Sequence, residues 1–168
     1  MVGTTVGRVA LFSIHPRYAR AILDGSKEVE FRRQVLPHDV THVVIYATAP
    51  VQQVIGIFEV AGVDKMTPSR AWKRYGRTGG IERTAFERYY TNADHAFVIR
   101  VNDPQTFPTP FPLAELDENL RPPQSYMYLR DDLLDRVRVL AAEPQPHKPV
   151  VRRLLTRLAS KVLAPTTH

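Results

Sequence analysis

The stretch Val9-Ala10-Leu11-Phe12-Ser13-Ile14-His15-Pro16-Arg17-Tyr18-Ala19-Arg20-Ala21-Ile22-Leu23-Asp24-Gly25-Ser26-Lys27-Glu28-Val29-Glu30-Phe31-Arg32-Arg33 decides how the chain folds. Val9 to Ile14 is short, apolar and free of breakers, which predicts a buried strand. Pro16 suits a first helical turn, and Tyr18, Ala19, Ile22 and Leu23 then recur at helical spacing. Asp24-Gly25 closes that helix, because glycine takes the left-handed backbone of a C-terminal cap. From Glu28 to Arg33 the pattern alternates, with Val29 and Phe31 on one face and Glu28, Glu30 and Arg32 on the other. The expectation is a strand with one charged face.

Outward from this unit, Val43–Tyr46 and Val54–Val60 read as two more strands joined by the turn-like Ala47-Thr48-Ala49-Pro50. Residues 67–90 read as helix in two pieces, broken at Gly79-Gly80, with Thr67 or Ser69 as the first cap. Ala96–Val101 is another strand. Pro104, Pro108, Pro110 and Pro112 predict an irregular crossing, since proline lacks the N–H that a helix or central strand needs. A short helix at 113–119, a strand at 125–129 and a helix from Asp131 follow, the last capped by its closely spaced aspartates. Strands not regularly separated by helices argue for a small α+β barrel rather than βαβ units.

Three segments are expected: a domain over residues 1–142, a proline-rich linker over 143–149, and a basic amphipathic helix and tail over 150–168. In the last, Val151, Leu154, Leu155, Leu158 and Val162 form the apolar stripe, with Arg152, Arg153, Arg157 and Lys161 off it. Docking on the barrel is its simplest use; a protein partner or an anionic lipid surface are the others.

Composition sets outer bounds. Of 168 residues, 43% are hydrophobic and 24% charged, which excludes wholesale disorder. A chain of this length buries about 70% of the surface its unfolded form exposes. The absence of cysteine removes disulfides, thiolate metal sites and cysteine nucleophiles, and fits a reducing compartment. No apolar run approaches the roughly 20 residues of a membrane helix, so a soluble, cytoplasmic protein without a membrane span is expected. The net charge of +6 is concentrated in two segments, residues 65–90 and 144–168, each at +5. Residues 1–64 are balanced and 91–143 carry −4. Segregated positive charge attracts phosphates, although solvated helix faces also produce it.

Gly25, Lys27, Glu30 and Arg32 spell Gly-x-Lys-x-x-Glu-x-Arg directly after a strand–helix unit. Downstream stand Ile45-Tyr46-Ala47-Thr48-Ala49-Pro50, Ile55–Val60, and Pro122-Pro123-Gln124-Ser125-Tyr126. In these residues, over about residues 8–140, the chain resembles the ASCH domain family of the PUA-like superfamily. The resemblance implies a mixed β pseudo-barrel with flanking helices and a cleft beside the first helix. It also implies binding of RNA or modified nucleotides. Some small members of the family are amidohydrolases acting on acetylated cytidine; they share the lysine at Lys27 but carry threonine where this chain has Glu30.

The residues themselves support two chemistries. In a binding module, Glu30 orients Arg32 or accepts from a base, Lys27, Arg32 and Arg33 meet phosphate or base edges, and Tyr18 or Tyr126 stacks. His15 falls at the strand end, where the motif places the cleft, and Ser13, Thr48 and Ser125 are further candidate contacts, the last two with local backbone satisfaction as their bland use. Arg70, Lys73, Arg74 and Arg77, interleaved with aromatics, and Arg152, Arg153 and Arg157 add an accessory basic surface. RNA or a nucleotide is the expected partner, DNA the alternative. In a hydrolase, Lys27 activates water, attacks an amide or, with Tyr18, assists a 2′-hydroxyl, and Glu30 moves the proton. The bland counterparts are a salt-bridged strand face, a solvated turn lysine, packed tyrosines and an amphipathic helix burying Trp72. No cofactor is called for, and His38 and His42, without a third ligand, do not make a metal site.

Overall fold

A computed structural model of the chain describes residues 7–142. The linker over 143–149 and the basic helix expected over 150–168, with Arg152, Arg153 and Arg157, lie outside the described residues.

Strand β1 (Arg8–Ile14) leads into helix α1 (Pro16–Leu23), then β2 (Val29–Arg32), β3 (Val40–Ala47) and β4 (Gln53–Met66). Helices α2 (Pro68–Tyr75) and α3 (Arg83–Tyr89) follow, then β5 (Ala96–Phe111), a 3-10 turn (Leu113–Glu115), β6 (Tyr126–Leu129) and α4 (Asp131–Ala142). The strands form one six-stranded sheet in the order β2-β5-β4-β3-β1-β6. The β1–β3 pair is parallel and every other pair is antiparallel. The α+β expectation holds. The barrel, however, is not closed: β2 and β6 are the edges of an open, curled sheet, with no ladder joining them.

Central strands β1 and β3 are covered on both faces, as their unbroken apolar runs require. Val9, Leu11, Val44 and Tyr46 point toward α4, packing with Phe111, Leu134 and Val137. The alternate set, Phe12, Ile14, Val43 and Ile45, packs with Ala19 and Ile22 of α1. A third cluster joins Val29 and Phe31 of β2 to Ala71 of α2 and Phe86 and Tyr90 at α3. There the bulk comes from Phe86, centred 4.9 Å from Phe31 and 5.1 Å from Trp72, which is itself only half-buried. At a typical ~25 cal/mol per Å² of apolar surface, such clusters supply the main drive to fold.

The proline-rich crossing is corrected by the structure. Residues 104–111 continue β5 as strand. The reason is the shortness of β2, which pairs only with Phe97–Arg100. Beyond Val101, whose N–H donates to the Glu28 carbonyl, β5 pairs with β4 alone, the one-sided setting in which a strand tolerates proline. The expected helix at 113–119 shrinks to the 3-10 turn at Leu113–Glu115.

Helix α1 begins at Pro16 with His15 as its cap, and ends at Asp24 with Gly25 at φ 83°. Thr67, not Ser69, caps α2 by accepting from the Arg70 N–H. The break between α2 and α3 falls at Gly79-Gly80, and both glycines are needed for close approach. A Cβ on Gly79 would lie 2.4 Å from the Phe31 ring, and one on Gly80, at φ 62°, 2.8 Å from the Lys27 Cβ. The α2–α3 corner therefore lies directly on Lys27.

Candidate functional site

The return from α1 to β2 is pinned by the Lys27 N–H donating to the Ala21 carbonyl and the Glu28 N–H donating to the Thr78 carbonyl, both at 2.8 Å. This turns Lys27 inward. Its side chain is only 3% exposed, so the solvated-turn reading is wrong. The ammonium donates to the Gly79 carbonyl at 2.5 Å and stands 3.5 Å from Glu30 Oε2. It also sits 5.2 Å and 5.5 Å from the ring centres of Phe31 and Tyr18. Burial pushes the Lys27 amine below the usual lysine range; Arg32 adds to that, and Glu30 opposes it.

Glu30 and Arg32 share one face of β2, as the alternation predicts, but that face turns inward rather than to solvent. Glu30 is 8% exposed and stands between the two cations, with Oε1 3.2 Å from Arg32 Nε. The guanidinium lies 4.4 Å over the Phe12 ring. It donates from Nη2 to the Ser13 carbonyl at 3.3 Å and from Nη1 to Ser125 Oγ at 3.4 Å. Arg32 thus ties edge strand β2 to β1 and to the residue before edge strand β6, bridging the seam of the open sheet. Its buried Nε pairs with the Glu30 carboxylate by charge, without hydrogen-bond geometry.

These three side chains line a cavity of about 130 Å³. Ser13 and Ile14 from β1, His15 and Tyr18 at α1, Phe31 of β2, and Ile81 and Tyr89 from the α3 side complete its walls. His15 Nδ1 accepts the Arg17 N–H at 3.3 Å, and its ring meets Tyr18 edge-on at 5.9 Å. Two cations and one carboxylate leave a net positive lining. Donors therefore outnumber acceptors, and an anionic or carbonyl-rich group fits the charge balance.

Several expected residues stand apart from the lining. Arg33 is exposed just past β2. Thr48 donates its N–H to the Ile14 carbonyl at 3.0 Å and is otherwise spent on its own turn. Ser125 supports Arg32 and, through its carbonyl, the Ser13 N–H at 3.2 Å. Tyr126 packs 5.4 Å from Phe12, with its hydroxyl donating to the Val35 carbonyl at 3.4 Å. Arg70, Lys73, Arg74 and Arg77 lie exposed on and after α2, outside the cavity. The sequence reading missed Tyr89, Ile81 and the Gly79 carbonyl. Tyr89 stood in plain view among the aromatics of 67–90, but nothing in its spacing says that α3 folds back over β2.

A larger cavity, about 590 Å³, opens beside α4 between Leu134, Val137, Ile57 and Phe107. Its walls carry no buried charge, and its rim groups Glu59, Asp103 and Arg138 are occupied by Asn102, Gln105 and Asp135. The concentration of buried ionic groups favours the smaller hollow as the site.

An open α+β sheet whose edges are clipped by Arg32, with a lysine–glutamate–arginine cavity beside the first helix, defines a class. The ASCH domain model matches residues 12–105. An ASCH domain-containing ribonuclease of Zymomonas mobilis subsp. mobilis is 35% identical over 127 residues, spanning 73% of this chain and 85% of that protein. A crystal structure of a serine-to-alanine mutant of the Zymomonas mobilis ASCH protein superposes with TM-score 0.75 at 31% identity, over 80% of this chain and 97% of that one. The N-terminal domain of Staphylothermus marinus McrB shares the fold, with TM-score 0.52 at 9% identity, over 78% of this chain and 93% of that one. The chain belongs to the ASCH domain family.

Proposed function

We propose that this protein acts on RNA, taking part of one nucleotide into the cavity of Lys27, Glu30 and Arg32. The observation that carries the reading is that cluster: three ionic side chains largely withdrawn from water around a hollow with a net positive lining. Buried ion clusters are weak stabilisers, since desolvation offsets much of their attraction, so their retention asks for another reason. The ribonuclease named among the relatives supports RNA as the ligand. At about 30 Å³ per water, the cavity has room for about four water molecules, which suits a phosphate or one edge of a base. Lys27 and Arg32 donate to its oxygens or ring nitrogens, and Glu30 accepts from an amine.

A second reading, cleavage of the bound strand, is favoured by the burial of Lys27 together with the relative's name. An amine held below its usual range has a larger neutral fraction and serves as a base. Neutral Lys27 takes the proton of a 2′-hydroxyl, and the 2′-oxygen attacks the adjacent phosphorus. The bond from phosphorus to the 5′-oxygen breaks, that oxygen takes the Tyr18 proton, and the lysine ammonium reprotonates the tyrosinate. The products are a 2′,3′-cyclic phosphate and a 5′-hydroxyl, with Arg32 facing the charge on phosphorus.

The test uses labelled single-stranded RNA, the matched DNA and an acylated nucleoside against the full chain and a Lys27→Met, Arg32→Met protein, with circular dichroism confirming its fold. RNA affinity should fall at least about tenfold in the variant, as expected from losing charge-assisted contacts. Unchanged affinity overturns the placement. Cyclic-phosphate ends seen by mass spectrometry and lost in Lys27→Met establish cleavage; intact RNA leaves binding alone. Turnover of the acylated nucleoside without RNA binding moves the function to amide hydrolysis.

A further inference from the structure

Tyr89 is set differently from the other rings around it. Phe31, Phe86 and Tyr90 bury one another. Tyr89, at the end of α3, is 39% exposed and still lines the cavity, with Tyr18 contributed from α1. An edge-on contact with Tyr90, at 4.9 Å between centres, props its ring without enclosing it. Its hydroxyl faces the Arg33 backbone N–H and the charges of Glu30, Arg32 and Arg33, and burial of that hydroxyl holds its pKa above the usual tyrosine range. On the other side, exposed Arg17 stands 5.9 Å over the Tyr18 ring and 4.0 Å from Glu82.

The hollow thus grades from ionic at its depth to aromatic at its mouth, with an arginine on either side. A nucleobase has the same gradation, with a polar edge and apolar faces, and phosphates follow on both sides of its sugar. We infer that Tyr89, together with Tyr18, holds the base of the nucleotide whose edge reaches Lys27, Glu30 and Arg32, while Arg17 and Arg33 meet the flanking phosphates. The inference rests on the RNA reading above. It makes α3 part of the recognition surface and Tyr89 the residue that senses the base.

The experiment measures binding of a ten-nucleotide single-stranded RNA, intact and with an abasic site moved through each position. The wild-type chain should lose about tenfold affinity at one position, in line with a single base–aromatic stack. Tyr89→Leu should lose the same factor on intact RNA and show no further abasic penalty, whereas Tyr89→Phe should stay within about twofold of wild type. Arg17→Ala and Arg33→Ala should each lower the salt slope by about 0.7. Tyr89→Leu keeping both full affinity and the full abasic penalty overturns the inference and leaves the RNA reading standing. Absence of binding by the wild-type chain overturns both.

Discussion

The layer under α4 and the corner between α1, β2 and α3 solve the burial problem in different ways. Toward α4, Val9, Leu11, Val44, Phe111, Leu134 and Val137 form a cluster with no ionic member. Toward α1 and α3, the chain places Lys27, Glu30 and Arg32 in a space that could have been filled by carbon. The dry side is stabilised by the transfer of surface out of water, which needs no partner-by-partner matching. The ionic cluster beside the apolar layer of α1 depends on three groups compensating one another, and removing one leaves the others uncompensated. The difference separates a part of the molecule that holds the fold from the part proposed to take the ligand.

The largest effects should test this contrast. Phe111→Ala, at a fully buried site on the dry side, should cost about 3–5 kcal/mol by urea denaturation. Glu30→Ala should cost a similar ~3–5 kcal/mol, because it leaves Lys27 and Arg32 facing each other without a counter-charge. The two losses should part with pH. As pH rises toward the ordinary lysine range, the Glu30→Ala loss should shrink as Lys27 sheds its proton, while the Phe111→Ala loss should stay constant. Parallel behaviour would erase the distinction.

A smaller effect concerns Lys27 in the unaltered cluster. Its folded-state pKa lies below the ordinary lysine value of 10.5, chiefly through desolvation, with Arg32 lowering it further and Glu30 raising it. Over the window between the lowered value and 10.5 the unfolded chain holds more protons than the folded one. Stability contributed by this group therefore rises with pH there. Thermal melts through the alkaline range should show that rise in the wild-type chain and its absence in Lys27→Met. Smaller still, Tyr90→Phe removes the hydroxyl that donates to the Arg32 carbonyl at 3.0 Å, and should cost about 1 kcal/mol by urea denaturation.

Local structure was largely legible. The β1–α1–β2 unit, its Pro16 start, its Gly25 stop and the break at Gly79-Gly80 all follow from backbone chemistry that a sequence displays directly. The pairing of Glu30 with Arg32 was legible too, since a period of two fixes which side chains share a face. What covers that face was not. Burial of Lys27 depends on the Gly79 carbonyl, 52 positions away, and the cavity wall depends on Tyr89, further along the same excursion. Such meetings are set by how α2 and α3 cross the sheet edge, which no local pattern encodes. The same limit explains the prolines of β5: whether a strand tolerates proline depends on a neighbour, and β2 is brief.

That brevity of β2 has a further consequence in crowded surroundings. Past Val101, whose N–H donates to the Glu28 carbonyl, β5 has no neighbouring strand on its β2 side among the described residues, the kind of margin on which another polypeptide can lay a strand of its own. Pro104, Pro108 and Pro110 fall within that margin, and each leaves a gap in the row of donors such an intruder would need. The domain can therefore keep a long strand paired along one side and remain a poor template for aggregation.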